Sequence, residues 1–255
     1  MITTVIFILL NFILIYFLKR KEIKKIIFKK KIKQVNITEI DELFKPNQIK
    51  EFLFPSKNYV TKFFFVPSEL NIVGMTSDLE GWILSMLAKN SKMIFEFGTC
   101  SGKTTYLLAL NSGQEAKIYT LTLEYNENVE YLKNESKVAH KNIKKESIYK
   151  NFIFSNTEEE KKINVIFCNS LNFDIQNYKS KFDLIFIDGG HTRSILKNDT
   201  EKAFQMIAKG GFIFWHDYVA GKKSSKDVFN YLNEISKEKN LYNIKNTSLV
   251  YYKHI

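Results

Sequence analysis

The sequence predicts an α/β protein: a mainly parallel sheet covered by helices on both faces, with an apolar helix ahead of it. Three observations lead there. Residues Met1 to Leu18 carry no charged side chain. From residue 91 onward, short apolar runs alternate with amphipathic ones, the rhythm of strands joined by crossover helices. Nearly every apolar run ends in glycine, a carboxylate or a small polar residue, where open α/β sheets bind ligands.

The first element is "MITTVIFILLNFILIYFL". As a helix it would rise about 27 Å, close to the roughly 30 Å of a bilayer core. It lacks the basic start and small-residue cleavage site of a signal peptide. Nine basic residues and one acid follow between Lys19 and Lys33. The expected organisation is a transmembrane anchor over 1–18, then a basic juxtamembrane segment over 19–36 that grips anionic lipid. The body then faces the cytoplasm by the positive-inside rule, which makes the chain a single-pass membrane protein. The alternative is a buried N-terminal helix. The net charge of +11 resides mostly in that basic run. The body is therefore near balance, which argues against a nucleic-acid partner.

Residues 37–90 read as a helical extension. A helix over Ile37–Lys45 stops before Pro46, and a second over 47–54 stops at Pro55. A third opens at Thr76 or Ser77, with Glu80 three residues beyond Ser77 as in a capping box. Leu79, Ile83 and Leu87 then recur at helical spacing. Residues 91–255 form the main domain. "KMIFEFG", "KIYTLTLE", "KINVIFCNS", "KFDLIFIDGG", "GFIFWHD" and "TSLVYYKHI" read as strands. Helices are expected from Gly102, over 126–139, over 192–211 and over 224–240. Cys100 and Cys168 are the only cysteines, too few for a disulfide framework and without zinc-site spacing.

Candidate functional residues gather at the strand ends: Glu96, Gly98 and Gly102; Glu124; Asn169 and Ser170; Asp188 to His191; His216 and Asp217. The stretch "IFEFGTCSGKTT" imitates an ATP-binding loop, but that loop needs a glycine five residues before Gly102, and Phe97 stands there. A dinucleotide loop needs a middle glycine where Cys100 stands.

What remains, E-x-G-x-x-x-G after a first strand, resembles the nucleotide-methionine loop of class I, S-adenosylmethionine-dependent methyltransferases. "MTSDLEGWILSMLAK", "FDLIFIDGGHT" and "GGFIFWHD" extend the similarity to the small-molecule and sugar O-methyltransferase-like subgroup, methyltransferase domain family 24. The resemblance implies a Rossmann-like three-layer sandwich with a seven-stranded sheet. It implies cofactor contacts at Glu96, Gly98, Thr99, Gly102, Asn169, Ser170 and Asp188. The family's ribose acid matches Thr122, so the contact is expected to pass to Glu124 on the same strand face.

By the same resemblance Asp188 and Asp217 could ligate Mg²⁺, an oxygen-loving cation. His191 then serves as base or substrate orienter, with Asp188 beside it. The expected activity is O-methylation of a sugar, glycan precursor or other small molecule. The alternative is a non-catalytic binding or scaffold protein that keeps the fold. An oxygenase activity lacks a recognisable iron triad.

Overall fold

A computed structural model describes residues 6, 9–17, 19–20, 29–40, 61–66, 76–124 and 137–255. The elements are β1 (Lys33–Val35), α1 (Asp78–Ala88), β2 (Met93–Phe97), α2 (Lys103–Asn111), β3 (Lys117–Thr122), α3 (Lys137–Glu146) and β4 (Ile163–Phe167). They continue as β5 (Phe182–Ile187), α4 (Arg193–Met206), β6 (Ile207–Trp215), α5 (Lys226–Ile235), β7 (Tyr242–Ile244) and β8 (Val250–Lys253). One sheet takes all eight strands in the order β1-β7-β8-β6-β5-β2-β3-β4. Only the pairs that include β8 are antiparallel. From β2 the chain steps outward to β3 and β4, then returns to β5 on the other side. The reversal of strand order lies between β2 and β5, where such sheets open a ligand crevice.

Strand alternation builds two cores. Phe95, Ile185, Ile213 and Trp215 face one side and pack against Leu196 and Met206 of α4 and Leu232 of α5. Ile94, Leu184, Phe186, Phe212 and Phe214 face the other, against Ile83 and Leu87 of α1 and Leu108 of α2. Both faces are apolar because helices cover both, so the strands read as continuous hydrophobic runs. Ser77 caps α1 as expected, its side chain accepting from the Glu80 amide while Glu80 returns to the Ser77 amide.

Two expectations about the fold are corrected. The sheet has eight strands where seven were expected. The strands β1 and β7 have three residues each, too short for a periodic signature. They are held instead by distant contacts. Asn243 Oδ1 accepts from Lys30 Nζ (2.8 Å) and Gln34 Nε2 (3.0 Å), and the Lys245 amide donates to the Val35 carbonyl (3.0 Å). The second correction concerns the N-terminus. Among the described residues no helix is long and apolar enough to cross a membrane. The transmembrane helix, the membrane as partner and the single-pass placement that rested on it are withdrawn.

Residues 41–45, the helix expected over 47–54 and residues 125–136 lie outside the described residues. The helix expected over 192–211 ends at Met206, and its last five residues already belong to β6.

One acid sits inside the layer between sheet and helices. Glu96 is 1% exposed, on the same strand face as Ile94. Its Oε2 accepts from the Thr120 hydroxyl (2.7 Å) and from the Thr105 hydroxyl on α2. Burial raises its pKa to about 8, against the two hydroxyl bonds that favour the anion. Between the ordinary carboxylate value and about 8, the folded chain keeps a proton that the unfolded chain has lost. The contribution of this group to stability therefore falls as pH rises through that window. Unfolding free energy measured from pH 5 to 8 should decline more steeply in the native chain than in Glu96→Gln, and equal slopes would contradict the assignment. Phe95 is fully buried, with the rings of Phe97, Phe173 and Phe182 within 5.5 Å centroid to centroid. Phe95→Ala should cost about 3–5 kcal/mol in denaturant unfolding.

Candidate active site

The site begins where β2 stops. Gly98 has φ +100°, and a Cβ there would lie 2.3 Å from the Asp188 carbonyl oxygen. The Asp188 amide donates to the Phe97 carbonyl (2.9 Å), and the Gly98 amide to the Leu121 carbonyl (2.9 Å). The ends of β2, β3 and β5 are thereby drawn together under one glycine, since only glycine combines positive φ with so close a backbone. Gly102 has φ +81°, caps α2 without a side chain, and abuts the Phe154 ring at 2.7 Å from an added Cβ.

Above these strand ends lies a crevice of about 570 Å³, open to solvent. Of the residues expected to contact the cofactor, Gly98, Asn169, Ser170 and Asp188 line it. Glu96, Thr99 and Gly102 do not line it. Glu96 is turned toward α2, and the Thr99 hydroxyl lies 2.7 Å from that of Thr120. Glu124 is exposed and also outside the lining, whereas Thr122 is part of it. The acids of the crevice are Glu146, Asp188 and Asp199, and no lysine, arginine or histidine lines it among the described residues. Glu146 and Asp199 were not singled out from the sequence. Asp199 is 1% exposed on α4, and burial pushes its pKa up to about 6 against hydrogen bonds from Ser170 and Asn198. Burial also raises Glu146, partly offset by the charge of His191. Cys100, shared with the neighbouring hollow, is pushed up to about 12 by burial and holds no thiolate at neutral pH.

A second hollow of about 1010 Å³ adjoins the crevice and shares Cys100, Glu146 and Asp188 with it. Its floor is a cluster of carboxylates and imidazoles. His191 Nε2 lies 3.3 Å from Asp217 Oδ2 and 3.8 Å from Asp188 Oδ1. His216 Nδ1 lies 3.0 Å from Asp188 Oδ1, and its Nε2 is 3.3 Å from Glu80 Oε2. Lys222 Nζ and the Ser225 hydroxyl donate to Asp217 Oδ1 at 3.0 and 3.2 Å. Burial alone would discharge the two histidines. The carboxylates outweigh it and raise both, His216 well above the usual value. Asp188, Asp217 and Glu80 are correspondingly lowered, their burial outweighed by these imidazoles. His191 Nδ1 is buried without a hydrogen-bond partner among the described residues.

One ligand atom from each of Asp188, His191 and Asp217 falls within 4.8 Å of the others. These three could hold a cation. Trp215 is fully buried with its indole N–H on Thr200 Oγ1 (2.9 Å) and lines neither hollow.

A family described as "Methyltransferase domain" matches residues 95–218, just under half of the chain. No curated protein matches. Among solved structures, the O-methyltransferase TomG of Streptomyces achromogenes, in complex with S-adenosylmethionine, is similar with a TM-score of 0.50 at 13% identity. That match covers 74% of this chain and 86% of the other. The methyltransferase PaMTH1 of Podospora anserina, bound to S-adenosylhomocysteine, has a TM-score of 0.51 at 13% identity, over 92% of this chain and 95% of its own. At such identities the likeness is one of fold. The matched segment runs from within β2 through the Asp188 strand end to Tyr218, just past Asp217, and so contains both glycine turns and most of the floor cluster. Residues 95–218 thus make up a methyltransferase domain.

Proposed function

We propose that the chain methylates a hydroxyl of a sugar, glycan precursor or other small molecule. In this reading S-adenosylmethionine lies in the crevice and the acceptor in the adjoining hollow. The observation that carries it is the shared wall at Asp188, with an acidic crevice on one side and a floor of mutually neutralising acids and bases on the other. The crevice has three acids and no cation, which suits a ligand bearing a sulfonium and an ammonium group. In the hollow the histidines, Lys145 and Lys222 offset Glu146, Asp188 and Asp217, which suits an uncharged acceptor.

The transfer forms a bond from acceptor oxygen to methyl carbon and breaks the carbon–sulfur bond, leaving a neutral thioether. The acceptor must lie in line with that bond, so positioning supplies much of the rate. The hydroxyl proton passes to the His191 imidazole, and Asp217 and Asp188, which face its Nε2, stabilise the imidazolium that forms. Asp188 would hold the methyl-bearing end of the cofactor, and Gly98, Asn169 and Ser170 would hold the rest. Thr122 replaces the family's ribose acid, and the exposed Glu124 would have to swing inward to serve there.

Mg²⁺ fits the floor in one respect: Asp217 Oδ1 is occupied by Lys222 and Ser225, while its Oδ2 faces His191 beside Asp188. Asp188 and Asp217 would hold the ion, leaving His191 as the base, and the ion would acidify the acceptor hydroxyl. No observation favours the non-catalytic scaffold.

Calorimetry on the full chain should show S-adenosylmethionine binding with micromolar affinity, about −8 kcal/mol. No heat and no thermal shift at millimolar cofactor would remove the proposal. In a methyl-transfer screen on glycan precursors and simple sugars, Asp188→Ala should lose at least about tenfold in kcat, roughly 1.4 kcal/mol of barrier. If Mg²⁺ takes part, a chelator lowers native turnover and leaves that variant unchanged. Full turnover of Asp188→Ala with chelator present would discard both roles.

A further inference from the structure

Glu80 does more than cap its helix. It is 5% exposed at the third position of α1. Its Oε2 accepts from the Ser77 amide (3.0 Å), the return bond of a capping box, and also from the Ser77 hydroxyl (2.7 Å). Two further sets of contacts are not capping. Oε1 accepts from the amide and hydroxyl of Ser248, at 2.7 and 2.8 Å, in the turn before β8. Oε2 also lies 3.3 Å from His216 Nε2, at the end of β6. Across the same ring, Nδ1 is 3.0 Å from Asp188 Oδ1. The result is an ordered row, Glu80–His216–Asp188, running from the helix layer to the wall that both hollows share.

We propose that Glu80 is a positioning residue for methyl transfer, clamping the His216 ring between two carboxylates and so fixing Asp188 on the shared wall. The inference rests on the methyltransferase reading. Its physical content is orientational. The Asp188 side chain turns about two bonds, and the partners holding its Oδ1 are the imidazoles of His216 and His191, the former much nearer. A ring bonded at one nitrogen only could swing and carry the carboxylate with it. Glu80 is suited to prevent this because four donors from Ser77 and Ser248 hold its own carboxylate in place. Those donors and His216 also keep it ionised despite its burial. The Ser248 hydroxyl, which accepts from the Asp217 amide at 3.2 Å, ties the same clamp to the other floor acid.

The test is Glu80→Gln, which keeps a helix-capping side chain but removes the charge opposite His216. The variant should bind S-adenosylmethionine within about twofold of the native affinity. It should lose about tenfold or more in kcat, the scale expected of a small misplacement. The ring-nitrogen NMR resonances of His216, assigned by their loss in His216→Asn, should shift. A folded Glu80→Gln protein with native kcat, or with unmoved His216 resonances, overturns the proposal. Should that variant not fold, His216→Asn decides. A comparable loss of kcat with cofactor affinity kept upholds the clamp, and native kcat overturns it. If the native chain binds no cofactor at all, the methyltransferase reading fails separately, and the His216 resonances still report whether Glu80 holds the ring.

Discussion

The pairing of β2 with β5 is the constraint on which the rest of the structure depends. It brings the Asp188 carbonyl so close to Gly98 that no side chain fits between them. The two strands end side by side, at the point where the chain reverses its direction of travel across the sheet. Asp188 is therefore held by backbone hydrogen bonding before any side chain is considered. Crevice and hollow are the spaces left on either side of it.

Electrostatics then divides those spaces. Acids without cations line the crevice, and two of them, Asp199 and Glu146, sit in surroundings that raise their proton affinity. A cationic ligand would relieve that strain by favouring their charged forms. On the other side carboxylates and histidines neutralise one another within a buried cluster. Such a cluster persists only when its members are mutually hydrogen-bonded, because a lone buried charge is costly. That economy explains why Glu80 and Ser248, distant in sequence, are built into it.

The legible parts of the sequence were those with local signatures. Runs such as "KMIFEFG" and "FDLIFIDGG" are apolar on both faces because helices cover both faces, and they read as strands without further help. Ser77 and Glu80 announced the start of α1 through a three-residue spacing. The strands β1 and β7 did not announce themselves, being three residues long and secured by Asn243 and its partners more than two hundred positions away. The N-terminal run misled for the complementary reason. An apolar composition states what a segment avoids, whereas crossing a bilayer requires a continuous helix long enough to do so, which the described residues do not contain.

The candidate site divides in the same way. Glycines with positive φ and acids at strand ends follow from chain-local geometry, and Gly98, Asn169, Ser170, Asp188, His191 and Asp217 could be placed near the sheet edge from the sequence alone. Which of them share a cavity could not. Glu96 follows a strand's alternation into the helix layer, and Glu124 ends on the surface. Glu146, Asp199 and Glu80 reach the two hollows or their floor from helices packed over the strand ends. The succession of the longer strands along the chain and the identity of the motif were thus written in local pattern. The composition of the two hollows was decided by helix packing, because it depends on contacts between residues far apart in the chain.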